Sequence, residues 1–225
     1  MTREPDVPAG EFSTWLRRTR SAHLNDTAVD VPCGDCAACC TSSYFIHIRP
    51  DETGTLGQIP DELLVAAPGL PKGHVVIGYD EHGRCPMLRD GRCSIYEHRP
   101  LTCRTYDCRV FAAAGIDADR PAITERARGW AFDHATEDDR RERSAVRAAA
   151  TFLQGREECF AGGAQADNPA HVAVLAVKVY DVFLEGGDVP GTVGRASLDD
   201  ERAKAVMEAY ESFEARRGAP GERTP

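Results

Sequence analysis

The chain has no run of about 18 consecutive apolar residues, which excludes a helix that spans a bilayer. It also lacks a positive balance: 27 Lys and Arg against 36 Asp and Glu leave a formal net charge of -9. Bulk electrostatics therefore oppose binding to nucleic acid or to an anionic membrane surface, so neither is expected as a partner. The start, Met1-Thr-Arg-Glu-Pro-Asp6, has no basic stretch followed by an apolar one, so export is not expected and a cytoplasmic location is. Gly-x-Gly-x-x-Gly, the phosphate loop, Gly-x-Ser-x-Gly and His-Glu-x-x-His are all missing. Their absence removes the common dinucleotide, nucleotide, serine-hydrolase and zinc-protease signatures. Nor is there a Cys-x3-Cys-x2-Cys run of the kind radical enzymes use to cleave a sulfonium donor. No internal repeat is visible.

What the chain does have is cysteine, nine in 225 residues. Four stand in Cys33-Gly-Asp-Cys36-Ala-Ala-Cys39-Cys40 and, after a gap of 44 residues, four more follow as Cys85, Cys93, Cys103 and Cys108. In a compartment that keeps thiols reduced, such a pattern points to metal binding or catalysis and away from a disulfide frame. Thiolate sulfur selects zinc, copper(I) or iron–sulfur clusters over hard cations, and two blocks of four match the tetrahedral four-sulfur surroundings of zinc and of cluster irons. Two-residue spacings at Cys33, Cys36 and Cys39 have the form of the start of the bacterial ferredoxin run, and Cys85-Pro86 echoes its end. Zinc ribbons pair one Cys-x2-Cys knuckle with another, whereas the second block has intervals of seven, nine and four residues. An iron–sulfur cluster is therefore favoured over zinc. Cys40, directly beside Cys39, departs from the ferredoxin run and is expected to serve a second site or none.

The rest of the chain is organised around these blocks. Residues 1–30 read as a tail followed by a helix with Phe12, Trp15, Leu16 and Thr19 on one face. Residues 31–115 read as the cysteine-cluster domain, residues 120–218 as a helical region packed on it, and residues 219–225 as a tail. Within the cluster domain, Tyr44–Ile48 and His74–Tyr79 are strand-like, and Pro60-Asp-Glu-Leu-Leu64 suits a short helix. Asp90-Gly91 is a tight-turn signal whose hairpin would bring Cys85 and Cys93 near each other.

Beyond residue 120, Thr136 with Asp139 opens one helix and Asn168-Pro169 a second that Gly186 and Gly187 end. Ser197 with Asp200 opens a third, before Gly218. The predicted fold class is α+β, mostly α: a metal-stabilised cysteine-rich core with a short β-hairpin and a carboxy-terminal helical extension. The segment Arg84–Arg109 holds six arginines against three acids, a surplus of +3 in a chain of -9. Guanidinium groups offset the negative charge of a thiolate centre, and Arg99 and Arg104, flanking Cys103, are the closest candidates.

The full pattern resembles the CxxCxxCC family, also called YkgJ-like. Its carriers are Cys33-x2-Cys36-x2-Cys39-Cys40, then Cys85-Pro-Met-Leu-x-x-Gly-x-Cys93-Ser-Ile-Tyr-Glu-x-Arg99-Pro-x-x-Cys103-Arg, with Cys108 after it. The resemblance covers about residues 31–110. It implies zinc or iron chelation, with Cys33, Cys36, Cys39, Cys40, Cys85, Cys93, Cys103 and Cys108 as ligands. One branch of the family includes flagellin lysine N-methylase, a distant relation whose activity does not carry over to a short chain without a methyl-donor site. Two functions stay open. One is a metal-binding protein whose helical region is scaffold or protein-partner surface. The other is an iron–sulfur enzyme that modifies a protein side chain, methyltransferase-like.

Overall fold

The structure is a computed structural model, described here for residues 7–25, 27–29, 31, 33–159, 167–184 and 195–216. It is α+β and mostly α, 53% helical and 12% strand, in agreement with the class read from the periodicities. In chain order the elements are β1 (Val7–Glu11), α1 (Phe12–Asn25), β2 (Ile46–Ile48), α2 (Thr53–Leu56), β3 (Leu64–Ala66), β4 (Val75–Ile77), β5 (Leu88–Arg89) and β6 (Arg92–Cys93). They continue with α3 (Leu101–Thr105), α4 (Arg109–Ala114), α5 (Pro121–Arg128), β7 (Trp130–Asp133), α6 (Glu137–Leu153), α7 (Pro169–Val179) and α8 (Arg195–Arg216). No helix among the described residues is long and apolar enough to cross a membrane.

The chain divides into two compact units. A helical unit draws on the chain up to Asp26, on Cys108–Asp119 and on the chain from Ala127 onward; a cysteine-rich unit comprises Thr27–Asp107 and, after an excursion, Arg120–Arg126.

In the helical unit the expected loose amino terminus is corrected. Val7–Glu11 forms β1 and pairs in parallel with β7, Val7 opposite Trp130 and Glu11 opposite Asp133. The partner lies over a hundred residues away, so no local pattern announces it. Directly after β1, α1 buries Phe12, Trp15, Leu16 and Thr19 as its spacing predicts. Phe12 and Trp15 meet Phe132 with ring centroids 5.1 and 4.8 Å apart. The predicted capping box opens α6: Asp139 N–H donates to Thr136 Oγ1 (3.1 Å), and Asp139 Oδ2 accepts from Thr136 N–H (2.9 Å).

The Asp139 carboxylate, fully buried, also accepts the Ser13 N–H at 2.9 Å and so ties α1 to the start of α6. Asn168 caps α7 with Pro169 in its first turn, and Val172, Leu175, Ala176 and Val179 are buried on it. On α8, Val206 and Phe213 are buried. The helix begins at Arg195, two residues before the Ser197 expected to open it, while Gly186, Gly187, Gly218 and the tail 219–225 lie outside the described residues.

The cysteine-rich unit is built on a three-stranded antiparallel sheet in the order β2-β4-β3. Strand alternation sends Ile46, Ile77 and Leu64, and likewise Ile48 and Val75, to one face, where they pack with Ile59, Met87 and Ile95. Cys85 and Cys93 pack on the same cluster, so the sheet core borders the thiols directly. Residues 61–63 form a single 3-10 turn, and Leu64 already belongs to β3, because β4 supplies a ladder partner that the local helix signal cannot anticipate.

On the outer sheet face His47 Nε2 and His74 Nδ1 stand 2.8 Å apart, their rings parallel within 1° and meeting edge to edge at a centroid distance of 5.0 Å. Asp90 and Gly91, both at positive φ (50° and 77°), form the expected tight turn, and β5 and β6 pair Leu88 with Cys93.

Candidate metal centre

The first cysteine block is made of turns. Gly34 at φ 54° lets the chain reverse so that Cys36 N–H donates to Cys33 carbonyl oxygen at 2.8 Å, which places these two side chains on one short loop. A 3-10 turn then carries Cys39 and Cys40, and Thr41 N–H returns to Ala37 carbonyl oxygen at 3.0 Å. The second block is clipped to the first through backbone, since Cys85 N–H donates to Cys40 carbonyl oxygen at 2.7 Å. The loop before Cys85 is shaped by Asp80, whose carboxylate accepts the N–H groups of His82 (2.9 Å) and Arg84 (2.8 Å). Gly83 in that loop has φ 76°, and a Cβ there would collide with Ser43 Oγ.

Cys85-Pro-Met-Leu88 then folds as a turn in which Leu88 N–H donates to the Cys85 carbonyl oxygen at 2.9 Å, and the Met87 and Leu88 N–H groups favour the Cys85 thiolate. Through the hairpin, Cys93 returns beside Leu88. Cys103 arrives on α3. Glu52 holds the start of that helix by accepting Leu101 N–H (2.6 Å), and Thr102 Oγ1 donates to the His47 carbonyl oxygen (2.7 Å). Behind it, Val29 N–H donates to the Arg104 carbonyl oxygen at 2.8 Å and ties the approach to Cys33 to the end of α3.

Six thiols thereby enter one electrostatic neighbourhood. Burial pushes Cys40 up to about 12, helped by Cys85, Cys93, Cys33 and Cys36. Burial likewise pushes Cys103 up to about 12, helped by Cys40, Cys85 and Cys93 and opposed by Arg99. Cys33 is raised by burial and by Cys36, with Arg99 and Arg126 opposing and Asp107 reinforcing. Cys85 is raised by burial despite its two N–H donors. Protonated thiols crowded in this way hold off one another's ionisation, and a bound cation reverses that balance. Among the described residues, no three His, Cys, Asp or Glu side chains are yet gathered around a common metal position. None of the nine cysteines is in a disulfide.

Cys40 is thus influenced by thiols of both blocks and joined through its carbonyl oxygen to Cys85, although its place beside Cys39 marks it in sequence as the odd member. Cys39 stays half-buried in the same 3-10 turn. Cys108 belongs to the helical unit: it precedes α4, is 7% exposed, and its sulfur accepts the Trp130 Nε1–H at 3.2 Å. Cys159 is buried in the helical unit as well. Arg126 is the charged neighbour that sequence reasoning missed, because it lies outside both blocks. The helical stripe it shares with buried Ile123, three residues earlier, was the available signal.

The chemistry of the donor set suits a thiophilic ion or cluster: six thiols within one electrostatic neighbourhood, opposed in their burial-driven rise by Arg99 and Arg126. A family model matches residues 32–143, that of CxxCxxCC, described as "Putative zinc- or iron-chelating domain". No curated protein and no solved structure matches the chain.

Proposed function

We propose, from the premise that this chain belongs to the CxxCxxCC family through residues 32–143, that its cysteine-rich unit binds a thiolate-ligated metal centre, an iron–sulfur cluster in preference to zinc. Cys40, Cys85, Cys93 and Cys103 are the primary ligands. The observation that carries this reading is the way the chain joins the two blocks: Cys85 N–H donates to the Cys40 carbonyl oxygen, the hairpin pairs Cys93 with Leu88, and Cys85 and Cys93 reinforce the burial-driven rise at both Cys40 and Cys103. Cys33, Cys36 and Cys39 of the first block are then left for a second site or for exchange of the ion.

The donor N–H groups at Cys85 and the clip between Cys40 and Cys85 orient two of the four sulfurs before any metal arrives. A bound cluster would supply one-electron chemistry, and zinc would supply a structural crosslink. The irregular second block, unlike paired zinc knuckles, supports the cluster reading.

The test is anaerobic purification with iron, acid-labile sulfide and zinc analysis beside a visible spectrum, on the intact protein and on single Cys→Ser variants. Iron with sulfide, lost on replacing Cys40, Cys85, Cys93 or Cys103 and kept on replacing Cys159, is the expected result. Stoichiometric zinc without colour would leave the same ligands with a structural role. Protein that binds neither metal would overturn the proposal.

A further inference from the structure

Two histidines meet on the outer face of the three-stranded sheet. His47 lies on β2 and His74 directly before β4, 27 residues apart in the chain. Each is fixed at its backbone. His47 stands opposite Val76 in the ladder, and its carbonyl oxygen accepts the Thr102 hydroxyl at 2.7 Å. His74 N–H donates to the Pro71 carbonyl oxygen at 3.2 Å, and its own carbonyl oxygen accepts Ala67 N–H at 2.9 Å. Just before it Gly73, at φ 96°, turns the chain so close to Pro50 that a Cβ there would stand 3.2 Å from Pro50 Cβ.

The side chains converge head-on. His47 Nε2 and His74 Nδ1 are 2.8 Å apart in rings parallel within 1°, and both residues are half-buried. Among the described residues neither ring has another hydrogen-bond or ion-pair partner. Val76 and Val65 share the row of the face on which His47 stands and offer neither charge nor hydrogen bond. The hydrogen bond joins the N–H of one facing nitrogen to the lone pair of the other. When the donor ring carries its hydrogen on its far nitrogen instead, two lone pairs face one point. Imidazole lone pairs suit zinc, copper(II) or nickel(II), and not calcium or magnesium. Two imidazole nitrogens on one tetrahedral zinc stand about 3.3 Å apart. The pair is about 0.5 Å short of that spacing, a gap that small rotations of two half-buried rings close.

We propose that His47 and His74 form a second metal site, a two-imidazole chelate for a divalent ion of the zinc, copper(II) or nickel(II) kind, with water in its remaining positions. It does not depend on the cysteine reading. Its ligands are nitrogen, they lie outside both cysteine blocks, and they take the ion without releasing a proton, because the donor ring moves its hydrogen from the facing nitrogen to the other. The competing reading, a hydrogen bond that only fastens β2 to the turn before β4, predicts no response of the rings to the ion.

The test uses the full chain, reduced, with zinc as the probe. Nitrogen–proton NMR of the histidine rings is recorded beside calorimetric titration for wild type, His47→Asn and His74→Asn, with circular dichroism of each. Asparagine keeps a hydrogen-bonding side chain while removing the imidazole lone pair. One zinc per chain is expected to shift the ring nitrogens of both His47 and His74 and to release less than one proton, apart from zinc taken by the thiols with release of several. Either substitution is expected to weaken this binding roughly 10-fold or more, since even groups that only support metal ligands are worth that much. The circular dichroism stays that of wild type.

Ring nitrogens that stay unmoved in wild type under excess zinc overturn the proposal and leave the hydrogen bond alone. Undiminished binding in both variants also overturns it and puts the nitrogen-bound zinc elsewhere. Zinc that moves the His47 and His74 nitrogens in a chain whose thiols bind no metal sustains this site and overturns the cysteine centre instead. If the variants do not fold, the ring signals of the wild type decide.

Discussion

Metal binding to these thiols must displace protons, and the number is set by their burial. Cys40 and Cys103, pushed up to about 12, and Cys85, also raised, are all protonated between pH 6 and about 8 in the metal-free protein. Each enters a metal's coordination shell as thiolate, so one metal bound to the proposed four ligands releases at least about three protons. Each released proton makes the binding constant rise tenfold per pH step of one, about 1.4 kcal/mol. The apparent zinc affinity is therefore expected to climb about a thousandfold from pH 6 to pH 7, with no flattening by pH 8.

The assay is calorimetric zinc titration of the reduced chain in two buffers of different ionisation heat, with chelator competition giving the affinity at each pH. Release of fewer than one proton per metal would refute the reasoning, since the ligands would then be carboxylates, imidazoles or thiols already ionised. The same shift has a folding counterpart of opposite direction. A thiol whose folded pKa is raised stabilises the metal-free fold below its ordinary value near 8.5, and that contribution is lost as pH rises toward the folded value. The metal-free protein is accordingly expected to weaken above about pH 9, and the loaded one to resist.

Asp139→Ala removes the cap of α6 and strands the Ser13 N–H inside the helical unit, and should lower unfolding free energy by about 3 kcal/mol, read by urea denaturation. Its hydrogen bonds to Thr136 and Ser13 hold the Asp139 carboxyl below the usual range, so the stability it adds is present above the ordinary aspartate value near 3.9 and fades as pH falls below it. Gly91→Val forces a β-branched side chain to φ 77° and should destabilise the β5–β6 turn by about 1–2 kcal/mol, with zinc affinity falling as Cys93 loses its place. The hydrogen bond between His47 Nε2 and His74 Nδ1 predicts an imidazole N–H resonance shifted downfield in wild-type spectra that vanishes in His74→Ala.

Much of the helical unit could be read from the sequence because its signals are local. The box at Thr136 and Asp139, the Asn168-Pro169 start and the apolar stripe of α1 each lie within one or two turns of what they specify. The Asp90-Gly91 hairpin was legible for the same reason. What stayed hidden depends on distant partners: β1 needs β7, the third sheet strand needs β4, and Arg126 acquires its meaning only from a fold that returns α5 to the cysteines. For the centre, spacing singled out the cysteines as a class but ranked Cys40 low, because adjacent side chains usually diverge. The 3-10 turn and the backbone clip to Cys85 place it among the second block instead.

The cysteine-rich unit is discontinuous, and that gives its assembly a clock. On the ribosome Cys33 through Cys103 emerge well before Arg120–Arg126, which complete the unit only after the intervening Cys108–Asp119 has been made. At about 5–20 residues per second, the stretch from Asp107 to Arg126 takes about 1–4 s to synthesise. For that interval the nascent chain carries its thiols without the segment that completes their unit, and ion capture or oxidation in the cell competes with the arrival of that last piece.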